Sequence, residues 1–330
     1  MFRNPSGVVI YNEIANMSEE SSSIMPVRGD ILLGLIVIDF VSGTIIAVAN
    51  GFLFITIYRD PCQCLRTPSV FLIANLSVAD FFMGVVSYLR AIELIHRYFS
   101  LGNLVISILN MIEYFIGAVS ILVAVSTLMA MSYDRYIAVI KPFQYPQKIN
   151  NTRAKVAIAI IWINALVMCV LPIADVKREN FLLAYCYSHF VIPSFILTAV
   201  YVKIYKMIAR QRQELKDVRA SLTAASRRKQ LERENRMAIT FVLILFIFYF
   251  SFLPYFINIQ ILYFCSCRSS YAYNVYHYIA NEFLSLSSTI NPFMYAWRLP
   301  MFNRSLRLCF RRRKNNNVIA TWNGTNSNQN

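Results

Sequence analysis

Seven long apolar stretches, almost free of charge, take up most of this chain and limit what it can become. They run approximately over Ile31–Tyr58, Pro68–Ile95, Leu104–Ile137, Val156–Ala174, Tyr185–Ile208, Ala238–Phe264 and Tyr271–Trp297. A helix needs roughly 20 apolar residues to cross a bilayer core, and each stretch meets that need. Charged residues are only 15% of the 330 and crowd between the stretches, which excludes an ordinary soluble domain. The expected fold is an all-α membrane protein, a seven-transmembrane helix bundle over residues 31–299. An extracellular amino terminus (1–30), a short amphipathic cytosolic helix (300–310) and a disordered cytoplasmic tail (311–330) complete the expected plan.

Lysine and arginine set the direction of threading, because cytoplasmic loops hold the excess. Of the 32, 25 lie at Arg59 and Arg66, within Arg135–Lys155 and Lys203–Arg236, and within Arg298–Lys314. Only seven fall on the other side, so the amino terminus is expected outside and the carboxyl terminus inside. The net charge of +15 reflects this bias toward an anionic inner leaflet, and its division among short loops argues against a nucleic-acid partner. Residues 1–30 lack the apolar core and cleavage site of a signal peptide, so the first span is expected to insert as an uncleaved anchor.

Asn16-Met17-Ser18 is a glycosylation acceptor on the outer side, whereas the sequons at Asn75, Asn150, Asn303 and Asn323 are expected to stay silent. One external disulfide is expected among Cys186, Cys265 and Cys267. Residues one position apart rarely bridge, so Cys186 or the other chain end is the expected partner. Cys309 closes the basic, amphipathic stretch after the seventh span, where either palmitoylation or a free thiol fits. Between about Ala209 and Arg236 the sequence favours charged extensions of the fifth and sixth spans, with a solvated linker as the alternative.

Polar residues inside a span are costly and therefore informative. Asp80 lies mid-span, with Asn50, Asn291, Ser287 and Ser288 as its candidate neighbours. That set suits a hydrated sodium ion or a shared proton, and equally a structural hydrogen-bond network. Pro292 and Pro254 each remove a backbone donor, and Pro193 marks the fifth span. Asp134-Arg135-Tyr136 ends the third span, where Arg135 pairs with Asp134, reaches Glu234 at the base of the sixth span, or snorkels to the interface. In the outer half Asp39, Arg90, Glu93, Glu113, Tyr114, Asn281 and Glu282 form the candidate ligand set. Arg90 there serves internal ion pairing or an anionic ligand.

Taken in order, Asn50-Gly51, Leu76–Asp80, Asp134-Arg135-Tyr136 with Pro142, Trp162, Pro193 with Tyr201, Phe248 with Pro254, and Asn291-Pro292 with Tyr295 resemble the rhodopsin-like (class A) G-protein-coupled receptors. The resemblance runs from about Ile31 to Phe310. It implies an activation switch of Asp134, Arg135, Tyr136, Glu234, Tyr201, Phe248, Phe252, Pro254, Asn291, Pro292 and Tyr295. It also implies a heterotrimeric G protein contacted by Arg135 and Phe143, with arrestin and a receptor kinase as further partners. Membrane lipids and an extracellular ligand complete the expected partners.

Departures from the family pattern narrow the ligand. Asn110 replaces the cysteine that usually ties the third span to the second outer loop. With the short Asp175–Leu183 loop and Cys265/Cys267, this resembles the melanocortin, lysophospholipid, cannabinoid and adenosine group. Gly117 stands where aminergic receptors carry Asp, so a non-aminergic ligand (lipid, nucleoside or peptide) is expected. Ser285 stands at the retinal lysine position and excludes a Schiff base, so no cofactor is expected beyond an allosteric sodium ion. Phe252 replaces the toggle Trp. No metal-ligand cluster, phosphate loop or nucleophile–base set suggests an enzyme. The rival is a seven-span transporter or channel, for which Asp80 is the only clear mid-span acid.

Overall fold

The computed structural model describes residues 28–60, 63, 65–170, 183–184, 186–216, 222–298 and 302–305. Seven long helices account for nearly all of them. They are α1 (Gly29–Arg59), α2 (Pro68–Tyr98), α3 (Asn103–Ile140), α4 (Asn151–Val170), α5 (Ile192–Lys216), α6 (Leu222–Phe264) and α7 (Tyr271–Arg298). Helices suit such a chain because lipid offers no partner to a bare N–H or C=O, and a helix satisfies its own. The first six contain windows long and apolar enough to cross a membrane. Helix α7 is not among those six, since Asn274, His277, Asn281, Glu282 and three serines dilute its 28 residues.

Chain neighbours pack side by side except α4 and α5, with α4 set against α2 and α3, and α7 closes the bundle against α1 and α2. Helix α3 is the hub, touching α2, α4, α5 and α6. Leu122, Val123, Leu128 and Met131 on it are buried among Phe241, Ile244, Phe248 and Tyr201. By contrast, α4 buries only Ala154, Ile161, Ala165 and Cys169 along a narrow stripe and turns Ile160, Ile163 and Val167 outward. Exposed apolar area on that scale belongs against lipid, not water.

Local signals set the helix ends. Pro68 opens α2 at a first-turn position, where its missing N–H costs nothing. Asn150 accepts the Arg153 N–H at 2.8 Å, so α4 begins five residues before the expected Val156. Pro193 has no N–H to return to the preceding turn, and Tyr187–Val191 widens there into a π-turn. Charged extensions of α5 and α6 do form, to Lys216 and from Leu222. Of the amphipathic segment at 300–310, residues 302–305 are described and are helical, with Phe302 fully buried. Asn16, Cys309, the 175–182 part of the short outer loop and the 311–330 tail lie outside the described residues.

The disulfide expectation needs correction. Cys265 and Cys267 bridge each other, and Cys186 is a free, buried thiol. A short 3-10 turn over Ser266–Ser269 folds the chain back and sets their Cα atoms 5.2 Å apart, inside the range a disulfide spans. Cys186 packs into the main apolar core instead.

Helices α1 and α2 approach most closely at Gly43 and Gly84. A Cβ on Gly84 would lie 3.0 Å from the Ala47 nitrogen and 3.1 Å from the Gly43 carbonyl oxygen. Both are backbone atoms, so the helices themselves would have to part. Gly84→Val is expected to destabilise the detergent-solubilised protein by about 1–3 kcal/mol. Thermal unfolding checks this, and an unchanged midpoint would show that the contact is slack.

Candidate functional site

Three polar layers cross the apolar bundle, each assembled from helices distant in sequence. At the end carrying the Asp134 triplet, Arg135 is 3% exposed and Asp134 2%. The Arg135 Nη2 and Nε donate to Asp134 Oδ2 at 2.5 and 2.9 Å, and Nη2 also donates to the Ser69 hydroxyl at 2.6 Å. Ser69 in turn donates to Asp134 Oδ2 at 2.7 Å. Tyr145, on a one-turn helix after α3, donates to Asp134 Oδ1 at 2.9 Å. Burial, reinforced by the Asp134 carboxylate, pushes the Tyr145 phenol up to about 12, so it remains a proton donor at neutral pH.

Toward α6, Arg135 meets soft groups. Its Nη1 lies 3.4 Å from Met237 Sδ, and its guanidinium sits 5.8 Å from the centre of the Phe241 ring. Glu234 lies on α6 three residues before Met237, and its side chain is outside the described set. Nearby, the Tyr201 hydroxyl sits 3.2 Å from that of Ser132, and Tyr136 packs partly buried against the core. Phe143, on the turn Pro142–Gln144, is 95% exposed.

The middle layer centres on Asp80. Ser288 donates to its Oδ1 at 2.7 Å and Asn291 to its Oδ2 at 2.8 Å. Asn50 donates to the Ser288 carbonyl at 3.0 Å, which ties α1, α2 and α7 together. The Oδ1 atoms of Asn50 and Asn291 are buried without a hydrogen-bond partner. A cavity of about 20 Å³ adjoins Asp80, lined also by Ser120, Ser287 and Phe252. That is room for about one water-sized guest. A carboxylate without a cationic partner among the described residues, beside oxygen-bearing side chains, fits a small hard cation.

Around this layer sit the aromatic and proline elements of the expected switch. Phe252 stacks between Phe190, at 4.6 Å, and Phe248, at 5.9 Å. Pro254 lies inside α6, and its carbonyl accepts the Tyr276 hydroxyl at 2.8 Å. Pro292 lies inside α7, and below it the Tyr295 hydroxyl is fully buried with no partner.

At the opposite end Arg90 is held by protein acids. Its Nε and Nη2 fork onto Asp39, with Nη2–Oδ1 at 2.5 Å, and Nη2 also reaches Glu282 at 3.3 Å. Nη1 donates to the Asn281 carbonyl at 3.3 Å. Glu93 pairs with Arg97 one turn along α2. Of the two open roles for Arg90, internal pairing is what the structure shows. Glu113 lies within the electrostatic reach of Arg90 and Arg97 but makes no hydrogen bond or ion pair among the described residues. Tyr114 packs partly buried against the core, and Gly117 is buried with Val86 beside it.

Ser69, Tyr145, Ser132, Met237 and Phe241 were not among the expected site residues, and nothing in their local sequence marks them. Only Ser69, one residue after the α2 proline, and Tyr145, in the basic loop, sit where a short polar contact is plausible on spacing. The Asn75 amide, linking Thr127 at 2.8 Å to the Trp162 indole at 2.8 Å, is likewise visible only in three dimensions.

The site as a whole is a lipid-faced helical bundle with a buried ion pair at each end and an acid beside a small cavity at its centre. The profile of the 7 transmembrane receptor (rhodopsin family) matches residues 49–182 and 174–295, and the chain belongs to that family. Similar proteins include muscarinic acetylcholine receptor M3 of Rattus norvegicus, 26% identical over 66% of this chain but over only 40% of that receptor's own length. Trace amine-associated receptor 6 of Pan troglodytes is 26% identical over 88% of this chain and 89% of its own length. Squid rhodopsin superposes with a TM-score of 0.71 at 19% identity, covering 87% of both chains. These relatives are muscarinic, trace amine and opsin proteins, which corrects the expected likeness to the melanocortin and lipid-receptor group.

Asp39 is fully buried, so deleting its partner strands a charge. Arg90→Met is expected to cost about 3–5 kcal/mol, and Arg90→Met with Asp39→Leu to recover most of it. A double-mutant cycle on thermal stability checks this; purely additive losses would dismiss the pair as a stabilising unit.

Proposed function

We propose that this protein is a plasma-membrane receptor that binds an extracellular ligand and activates heterotrimeric G proteins by outward movement of α6. The observation that carries the reading is the closed cluster at Arg135. Its guanidinium donates to Asp134 and Ser69, and Met237 and Phe241 of α6 lie against it. A ligand that favours the open state shifts this equilibrium by its differential affinity. Release of Arg135 would free it for Tyr201 and Tyr295, with exposed Phe143 meeting the G protein. The excess of Lys and Arg on one set of loops supports an outside amino terminus and an inside carboxyl terminus. Arrestin and a receptor kinase follow from family membership alone. A transporter or channel is not favoured, because the receptor relatives extend over most of the chain.

For the ligand, the expected non-aminergic class rests on Gly117, which offers no carboxylate. The relatives' names, acetylcholine and trace amine receptors, weigh the other way. Glu113 gives that second reading a physical basis, since its carboxylate lies one turn from Gly117 without an ion pair among the described residues. Retinal linkage is not supported, because α7 contains no lysine and Ser285 sits 3.3 Å from Ser87. A sodium ion at Asp80, flanked by Asn50, Ser287, Ser288 and Asn291, would supply charge neutralisation in the core.

Guanine-nucleotide exchange on purified G protein, screened against amines, lipids, nucleosides and peptides, tests the function. If an amine activates, Glu113→Gln is expected to abolish its effect; a response that survives removes Glu113 as the anchor. Ser69→Ala with Tyr145→Phe removes buried hydrogen bonds of about 1 kcal/mol each. Basal exchange is then expected to rise on the order of tenfold, and an unchanged basal rate would falsify the lock. Replacing sodium by potassium should alter basal exchange in the parent protein and leave Asp80→Asn unmoved.

A further inference from the structure

A second cavity opens between α3 and α5 beside the Arg135 layer, bordered by its Tyr136. It encloses about 350 Å³ and is lined by Tyr136, Ile140, Lys203, Lys206, Met207 and Arg210. Two contacts brace its walls. The Ser132 and Tyr201 hydroxyls meet at one end, and Gln211 donates to the Val139 carbonyl at 3.3 Å at the other. The gap is therefore a feature of how α3 and α5 are tied, with an apolar floor of Ile140 and Met207.

Its rim is cationic. Lys203 and Lys206 make no hydrogen bond or ion pair among the described residues, and Arg210 shares its charge with Glu214 at 2.9 Å. Depth decides what meets them. The apolar span of the fifth helix runs on to Gln211, so all three cations fall within its last turns. Val202 and Tyr205, on the same stretch, are exposed at 47% and 75% and face outward as a lipid-contacting surface would. Basic pockets between helices at the cytoplasmic face suit phosphorylated head groups.

We propose that this groove binds an anionic phospholipid whose head group carries phosphate monoesters, with the lysines on the phosphates and the acyl chains along Val202 and Tyr205. The assignment to the inner leaflet rests on the orientation proposed above. Head-group binding itself does not, and neither does it depend on G-protein coupling.

The test uses the full chain in nanodiscs of phosphatidylcholine doped equally in both leaflets with phosphatidylinositol 4,5-bisphosphate, with retained lipid read by native mass spectrometry. A cation near a charged membrane surface contributes roughly fivefold in affinity, so Lys203→Gln with Lys206→Gln is expected to lose on the order of twentyfold. Lys141→Gln with Lys148→Gln, which removes the same charge from exposed positions nearby, is expected to retain the lipid. Ile140→Trp fills the groove without touching a charge and is expected to lose it. Full retention in either groove variant overturns the site, and so does equal loss in the control. Binding of soluble inositol trisphosphate as tight as that of the lipid assigns the groove to free phosphates and overturns the lipid reading. Loss of G-protein exchange with lipid retained in the lysine variant assigns the cations to protein docking and does the same.

Discussion

Arg135 is a cation held inside a helical bundle whose outer wall faces lipid, and Asp134 beside it makes that burial tolerable. The pair is not left alone. One Asp134 oxygen receives Arg135 and Ser69, the other receives Tyr145, and so α2, α3 and the connection to α4 are drawn into one cluster. The same constraint shapes the opposite end, where Arg90 joins α1, α2 and α7 through Asp39 and Glu282. Between the two, Asp80 has hydrogen bonds but no cation among the described residues. Both ends are thus charge-matched within the protein, and the centre holds an acid beside a cavity of one-water size.

Arg135 meets α2 and α6 through different chemistry. Toward α2 it makes a short, charge-assisted hydrogen bond to Ser69, which is the strong kind. On α6 a thioether and an aromatic face lie against it, the cation–ring contact worth about 0.5–2 kcal/mol. Helix α6 also carries Pro254, and α7 carries Pro292, each removing a main-chain bond within its helix. Helix α3, packed against four others, has no comparable freedom. The contacts make α3 the common packing partner of its neighbours.

Much of this was legible in one dimension. Apolar length marks all seven stretches, and six of the helices meet a stricter measure of apolarity, α7 being diluted by its polar residues. Asp80, Asn50, Ser288 and Asn291 were grouped correctly because an intramembrane acid must find partners and few were on offer. The disulfide failed for the opposite reason. A rule about neighbouring cysteines ignored the 3-10 turn that brings Cys265 and Cys267 together, while Cys186 was taken up by the core. Ligand class is not legible in this way, since one glycine at position 117 says what is missing and not what replaces it.

Sequence by itself determined that this chain spans a membrane, which residues must avoid lipid, and the family it belongs to, because apolar length and buried charge are local costs that no packing can remove. Tertiary structure alone decided the partners. Whether Arg90 met an anion or Asp39, which hydroxyl held Arg135, and where α3 and α5 left a basic groove depended on side chains tens of residues apart arriving at one depth. That arrival is set by helix length, register and close approach, as at Gly43 and Gly84, and none of these is written in any single segment.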